Sequence, residues 1–285
     1  MNMYGILTNL EYDKHWIFKN YYYSLVNVYG IDNVSRVENI DDLNNIKVLF
    51  IGDEHFLPNK YIWMDDNFIN RCNELKIRVF IFNNEKIFNS MFPWNEDIQK
   101  NVNRFNYINQ IVYDVDDSDL IGVDINKTYM SKYFLGGVNL STEKKDKIVF
   151  IGNFNNHTYD KRKIFLNEIR DRVDIDILQS DENLTMDQYL NRISTYKYVL
   201  SPLGNGNFVP MRYYESLFVN SIPLQQSTDN IINKFQNEIT NNRGIFFKDI
   251  GDLIDKLKTP VTLNTPYYME DFIIEKVKPI IDDKL

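Results

Sequence analysis

The chain has 285 residues, 44% hydrophobic and 25% charged, with a formal net charge of −8. That is the composition of a globular protein with material for one large domain or two of about 140 residues, and it excludes a disordered or fibrous chain. One cysteine, Cys72, excludes an internal disulfide and a cysteine-based zinc site.

The charge is unevenly spread. Residues 1–140 carry 13 Lys and Arg against 19 Asp and Glu, and the rest carry 19 against 21. An acidic surface repels a polyanion at long range, which counts against DNA or RNA as the main partner, although a local basic groove stays compatible with it. No stretch approaches 18 apolar residues, so no membrane span is expected. The start, Met1 to Leu7, lacks a basic leader, and the expectation is a cytoplasmic protein of a bacterium or of a virus-infected host cell. Cys72, between Arg71 and Asn73, reads as a bystander rather than a nucleophile.

Taken in chain order, 3–8 reads as a short apolar strand and 13–29 as a helix that Gly30 stops. Residues 34–37 predict a second strand, 47–52 (Lys-Val-Leu-Phe-Ile-Gly) a buried strand with a turn after it, and 61–75 a helix. A buried strand at 77–82, a helix at 97–107 and a strand at 110–113 follow. Strands alternating with helices argue a parallel α/β sheet. The pattern then restarts. Gly136, Gly137 and the charged run Glu143 to Asp146 predict a linker, and 147–152 (Lys-Ile-Val-Phe-Ile-Gly) echoes 47–52. A helix at 160–170, a strand at 173–178, a helix at 185–195 and strands at 198–201, 221–224 and 244–247 complete a second set. Two α/β domains are therefore expected, 1–140 and 141–285. The last segment, 265–281, has helical spacing and can cap the second domain or cross back to the first.

Ligands of open α/β sheets bind outside the carboxyl ends of the strands. The stretch from Ser201 to Leu217 is the strongest candidate, because it reads as a strand end, a loop with Gly204, Asn205, Gly206 and Asn207, and a helix with Pro210 at its first position. Free N–H groups at a helix start suit a phosphate. Arg212 beside them suits a diphosphate, and Glu215, three residues on and on the same face, suits two ribose hydroxyls. An intrahelical ion pair is the structural alternative. After strand 147–152 come Asn153 and, in the next helix, Arg162 and Lys163, which can reach the same diphosphate or form a solvated basic patch.

In the first half the strand-end loops carry Glu11, Asp13 and His15, then Asp53, Glu54 and His55, then Asn83, Asn84 and Glu85. A general base near neutral pH needs a histidine or a carboxylate with a raised pKa. The run Asp114 to Asp119 contains an Asp-x-Asp pattern that can hold a divalent metal, but in a chain with 40 acidic residues it reads as an exposed turn.

At this point the residues look like a known group. Tyr198 to Gly206, then Arg212-Tyr213-Tyr214-Glu215-Ser216-Leu217, then Ser221-Ile222-Pro223-Leu224, resemble the donor-binding domain of GT-B glycosyltransferases of the exostosin-like and CgeB-like families. There a Ser/Pro-Gly loop precedes an Arg-x-x-Glu-x-Leu helix and a Gly-x-Ile-Pro-Val-type strand; here Asn220 stands where glycine is common. The match covers residues 145–250 and says nothing of the acceptor half. Asn205 to Phe208 running into Arg212 and Glu215, with Gly152-Asn153-Phe154 upstream, is also similar to bacteriophage DNA β-glucosyltransferases acting on hydroxymethylcytosine. Where that family has a catalytic aspartate this chain offers Asn84, with Glu85 adjacent, which places DNA second.

The resemblance implies an α/β GT-B fold, two Rossmann-like domains facing a central cleft, and transfer of a sugar from a UDP-linked donor to a hydroxyl of a glycan or other small acceptor. The implied donor contacts are Asn153, Arg162, Gly204, Asn205, Gly206, Asn207, Arg212 and Glu215, with no metal and no cofactor beyond the donor. The candidate bases are His55, Glu54, Asp13, His15 and Glu85. A DNA glycosyltransferase and a non-catalytic nucleotide-binding protein of the same fold are the alternatives.

Overall fold

The computed structural model describes residues 3–7, 16–51, 62–83, 104–112, 122–125, 129–154, 160–179, 184–203, 209–262 and 267–282. The chain divides into two compact units, Met1–Tyr133 with Met269–Leu285, and Phe134–Tyr268. The α/β class and the two Rossmann-like sheets expected from the sequence are both present.

The first unit holds a six-stranded sheet of β1 (Tyr4–Leu7), β2 (Val34–Arg36), β3 (Val48–Ile51), β4 (Arg78–Asn83), β5 (Ile108–Val112) and β6 (Gly122–Ile125), in the order β2-β1-β3-β4-β5-β6. Every neighbouring pair is parallel. β1 and β3 are apolar at every position except Gly5 and buried throughout, as a strand covered on both faces must be. Helices α1 (Trp16–Tyr29) and α2 (Asp66–Glu74) belong to this unit. Gly30 takes φ +89, a left-handed conformation that glycine adopts without a Cβ penalty, and its N–H bonds to Val26 O, so it stops α1 as predicted. The Asp65 side chain caps α2 by accepting from the Asn67 and Phe68 N–H groups. Leu49, Ile51, Val79 and Ile81 pack with Trp63, Phe68 and Phe105.

A second tie in this unit is polar. The Glu270 carboxylate is buried, and it accepts from Asn27 Nδ2 (2.8 Å), Ser131 Oγ and the Lys132 N–H (3.1 Å). It lies in the short helix α9 (Met269–Phe272), which passes through a π-helical turn (Ile273–Val277) into α10 (Lys278–Asp282). Asn20, also buried, donates to Tyr129 O and accepts from the Ser131 N–H. The terminal segment is thus fastened to α1 and to 129–132 by hydrogen bonds that are satisfied on both sides.

The second unit holds β7 (Lys145–Gly152), β8 (Ile175–Gln179), β9 (Tyr196–Ser201), β10 (Ile222–Gln226) and β11 (Ile245–Phe247), all parallel, in the order β11-β10-β9-β7-β8. Helices α3 (Asp160–Arg170), α4 (Met186–Ser194), α5 (Met211–Phe218), α6 (Asp229–Lys234), α7 (Gln236–Thr240) and α8 (Ile250–Leu257) complete it. Thr185 and Gln188 form a reciprocal capping box at the start of α4. Ile148, Phe150, Leu200, Leu224 and Phe247 pack against Phe165, Leu166 and Ile169 of α3 and Leu253 of α8.

Several details differ from the sequence expectation. β7 begins at Lys145, inside the charged run read as linker, because the Lys145 N–H bonds to Thr195 O and its ammonium lies over the Tyr196 ring. Of the helix predicted at 97–107, residues 104–107 form a turn, and the rest lies outside the described residues. Pro210 is the N-cap of α5 rather than its first helical residue, with ψ 161, an extended conformation in which the absent N–H costs nothing. Asn220 has φ +57 just past the end of α5, which explains a glycine preference there; asparagine is among the few other residues that tolerate this conformation.

Candidate functional site

In both units the chain runs from the first strand to a neighbour on one side and then returns to the other side of that first strand. The order reverses between β1 and β3 in the first unit and between β7 and β9 in the second. At such a switch point the helices diverge to opposite faces and leave a crevice at the carboxyl ends of the two strands. In the second unit those ends are Gly152 and Ser201, so the predicted loops leave from the two sides of the switch.

The described side chains converge there. Arg212, in the first turn of α5, donates from Nη2 to Ile151 O at 2.8 Å. Arg162, in the first turn of α3, donates from Nη1 to Asn153 O at 2.9 Å. Two guanidinium groups from different helices thus hold carbonyls at and just past the end of one strand. Both approach the Phe150 ring, with Arg212 Cζ 4.6 Å and Arg162 Cζ 6.0 Å from its centroid, contacts of cation–π type. Gln179, at the end of β8, donates to Asn153 Oδ1 at 3.2 Å and orients that side chain.

Gly152 has a packing reason. A Cβ there would overlap Arg212 Nη2 and come within 3.0 Å of Phe150 Cζ, so the guanidinium occupies the space that any other residue would fill. Glycine is needed at this position for close approach.

Glu215, one turn further along α5, is buried, and its Oε2 accepts from the Tyr189 hydroxyl of α4 at 2.9 Å. Burial and the Glu215 charge push the Tyr189 hydroxyl above the usual phenol range, against a smaller pull from Arg212, so the phenol stays a donor. Tyr189 therefore stands between the two residues that the sequence paired.

The same edge of the sheet carries polar atoms that are buried without a hydrogen-bond partner: Ser201 Oγ, Arg212 Nε and Gln225 Oε1. Ser201 and Gln225 are register partners on neighbouring strands. Gln226 extends this edge, its Oε1 accepting from the Leu203 N–H at 3.2 Å and so holding the start of the glycine loop against β10.

Of the predicted donor residues, the structure brings Asn153, Arg162 and Arg212 to the carboxyl edge of the second sheet and buries Glu215 one turn further along α5. Gly204, Asn205, Gly206 and Asn207 lie outside the described residues, as do Asp13, His15, Glu54, His55, Glu85 and the run Asp114 to Asp119. The segments bearing Asp13 and His15, and Glu54 and His55, follow Leu7 and Ile51, the strand ends at the switch point of the first unit. Sequence reading missed Tyr189, Gln226 and the role of Gly152. Tyr189 lies in a helix that gave only a periodicity signal, and its partner comes from another helix. Gly152 was visible as a strand-ending glycine and as part of the Gly152-Asn153-Phe154 resemblance, but not as the residue that makes room for Arg212.

No protein-family model matches the chain, and no curated protein matches it. Among solved structures, a crystal structure of an α1,3-fucosyltransferase is similar with a TM-score of 0.49 at 14% identity, covering 98% of this chain and 87% of that one. A crystal structure of α1,3-fucosyltransferase with GDP-fucose gives the same TM-score and identity and covers 99% and 91%.

Proposed function

We propose that this chain is a glycosyltransferase of GT-B type, which binds a nucleotide sugar at the carboxyl edge of the second sheet and transfers its sugar to an acceptor hydroxyl. The observation that carries the reading is that Arg212 and Arg162, from two helices, both bind carbonyls at the end of β7, with the buried Glu215 one turn along from Arg212.

Arg212 is held by its bond to Ile151 O in β7, and Arg162 by its bond to Asn153 O just after that strand. Held in this way, the two groups offer fixed positive charge to a diphosphate, assisted by the N–H groups at the start of α5. During transfer the acceptor oxygen bonds to the anomeric carbon, and the bond from that carbon to the diphosphate oxygen breaks. Negative charge then grows on the leaving diphosphate, where preorganised donors stabilise the transition state most. Two arginines supply this without a metal step, the Glu215 carboxylate accepts from the ribose hydroxyls, and UDP is the expected carrier. If configuration is inverted, the acceptor proton passes to a base, for which Asp13, His15, Glu54, His55 and Glu85 are the candidates. The position of β1 and β3 at the first unit's switch point supports the first four. The proposed acceptor is a glycan or another small molecule.

The test is binding and turnover together. Wild type is expected to bind UDP, and Glu215→Ala to lose about 10- to 100-fold in affinity while staying folded, the loss of one or two hydrogen bonds to a charged group. Unchanged UDP affinity in Glu215→Ala would sink the site assignment. UDP release from one of a panel of UDP- and GDP-sugars with acceptors establishes the enzyme, whereas binding with no release from any of them indicates a nucleotide-binding protein. Salt-sensitive retention on duplex DNA would move the acceptor from glycan to nucleic acid.

A further inference from the structure

The helices that carry Tyr189, Arg212 and Glu215 meet again at their far ends, on a half-buried lysine at the opposite edge of the sheet. Lys144 immediately precedes β7. Its ammonium donates to Ser194 O at 2.6 Å, Val219 O at 3.1 Å and Ser221 Oγ at 3.2 Å. Ser194 is the last residue of α4, and Val219 is the C-cap of α5. Carbonyls at these places are left without an intrahelical partner and lie at the negative end of the helix dipole. The Ser221 hydroxyl is able to accept because its own hydrogen goes to Tyr196 O at 2.8 Å. Three N–H donors thus meet three acceptors, none of them a carboxylate. Burial pulls the Lys144 ammonium down from 10.5 to about 8, so at pH 7 it still carries its third proton.

These bonds form a second cross-link between α4 and α5. The first is the hydrogen bond from Tyr189 to Glu215. Ser194 lies five residues beyond Tyr189 and Val219 four beyond Glu215, so the two cross-links stand about 6–8 Å apart along the helices. Two rods joined at one point swivel about it, and a second joint stops the swivel. The chain that leads to Lys144 is laid against α4 as well. The Asn139 N–H donates to Asn191 Oδ1 at 2.8 Å, and a Cβ on Gly137 would overlap the Asp187 carboxylate. Asp187, Asn191 and Ser194 are spaced i, i+4, i+7, so one face of α4 takes the segment that ends in Lys144.

We infer that Lys144 is a positioning residue for the donor site: its ammonium locks the C-terminal ends of α4 and α5 together and so sets where α5 presents Arg212 and Glu215. The inference rests on the assignment of α5 to nucleotide binding. Lys144 does not touch the ligand, since it sits at the amino edge of the sheet and the strand-end crevice lies at the carboxyl edge. Binding groups keep their geometry only when the elements that carry them are held to fractions of an ångström, and a short helix pinned at its far end is held in this way. Removal of the ammonium leaves two helix-end carbonyls and a hydroxyl without their donor, and the helix ends are then free to shift toward other partners.

The experiment measures UDP affinity by calorimetry at pH 7 in wild type, Lys144→Met, Lys144→Gln and Glu215→Ala, at a temperature where thermal melts show each to be folded. Lys144→Met keeps the apolar stem and removes all three donors. It is expected to lower UDP affinity about five- to tenfold, and Lys144→Gln, which keeps one amide donor group, about threefold. A lysine with a merely structural role would lower the melting temperature and leave the affinity of the folded protein alone. Hydrogen exchange gives a second readout: in Lys144→Met the amides of α4 and α5 are expected to exchange faster, with those of α3 and α8 as in wild type. Where Lys144→Met does not fold, Lys144→Gln carries the test. The inference is overturned if the folded Lys144 variant binds UDP as wild type does while Glu215→Ala has lost affinity. Failure of the parent reading looks different: wild type then binds no UDP, or Glu215→Ala binds it as tightly as wild type, and the inference falls with it.

Discussion

The two units share a strand order and differ in what stands at its reversal. Both start at a central strand, place the second strand on one side and the third on the other. In the second unit the reversal is lined by side chains from three helices: Arg162 of α3, Tyr189 of α4, and Arg212 and Glu215 of α5. In the first unit the described strand ends, Leu7 and Ile51, are buried and apolar, and the ionisable candidates lie only in the segments that follow. Glu270, a buried carboxylate of the first unit, serves to fasten the terminal helix. Groups on helices hold their positions to fractions of an ångström, which suits a ligand that is the same at every turnover. The helix-borne groups of the second unit thus fit the proposed donor site.

The sharpest way to separate the two roles is to damage one unit and read the other. Glu270→Ala removes a buried carboxylate and leaves Asn27, Ser131 and the Lys132 N–H without their acceptor. It is expected to destabilise the first unit by about 2–4 kcal/mol in denaturant unfolding, with UDP affinity unchanged where the protein is folded. A parallel loss of UDP affinity in the folded variant would place part of the nucleotide site in the first unit. Gly152→Ala does the converse. The new methyl group displaces the Arg212 guanidinium, the far end of a flexible side chain, so UDP affinity should fall about tenfold while stability changes by no more than about 1 kcal/mol. Retained affinity would show that Arg212 does not act from its place over Gly152.

The smallest effect is a probe of the first unit alone. Burial pushes the Cys72 thiol up from its ordinary value of 9.0 to about 12. The folded state therefore holds this proton where the unfolded chain releases it, so the contribution to stability is complete below about pH 9 and falls as pH rises toward 12. Cys72→Ser should flatten that alkaline decline, and in wild type a thiol reagent at pH 8 should react only as the first unit opens. Fast labelling of the folded protein would contradict the burial of Cys72.

The fold was largely legible because strands such as β1, β3, β4 and β11 and the inner half of β7 are nearly pure apolar runs. The helix at Asp160–Arg170 was read to its end residues, and β3, β4, β9 and β10 fall within two residues of expectation. β6 (Gly122–Ile125) was missed, since four residues with Asp124 among them give neither an apolar run nor alternation. Helices α6, α7 and α8 were passed over because they are short, and their starts depend on caps such as Thr228 and Asp249. In the site, Arg162, Arg212 and Glu215 were legible from their places at helix starts after strand ends. Tyr189 and Gln226 were not, because their meaning lies in one hydrogen bond each, to residues 26 and 23 positions away. Local pattern carries no information about such pairs.

Hydrogen exchange with and without a saturating UDP-sugar tests the central claim most directly, because it reports on both switch points in one measurement. Donor binding is expected to slow exchange at the carboxyl end of β7 and in the first turn of α5, around Ile151 to Phe154 and Met211 to Ser216, and to leave β1 and β3 unchanged. Slowed exchange confined to the first unit, with residues 150–216 unaffected at saturation, would contradict it.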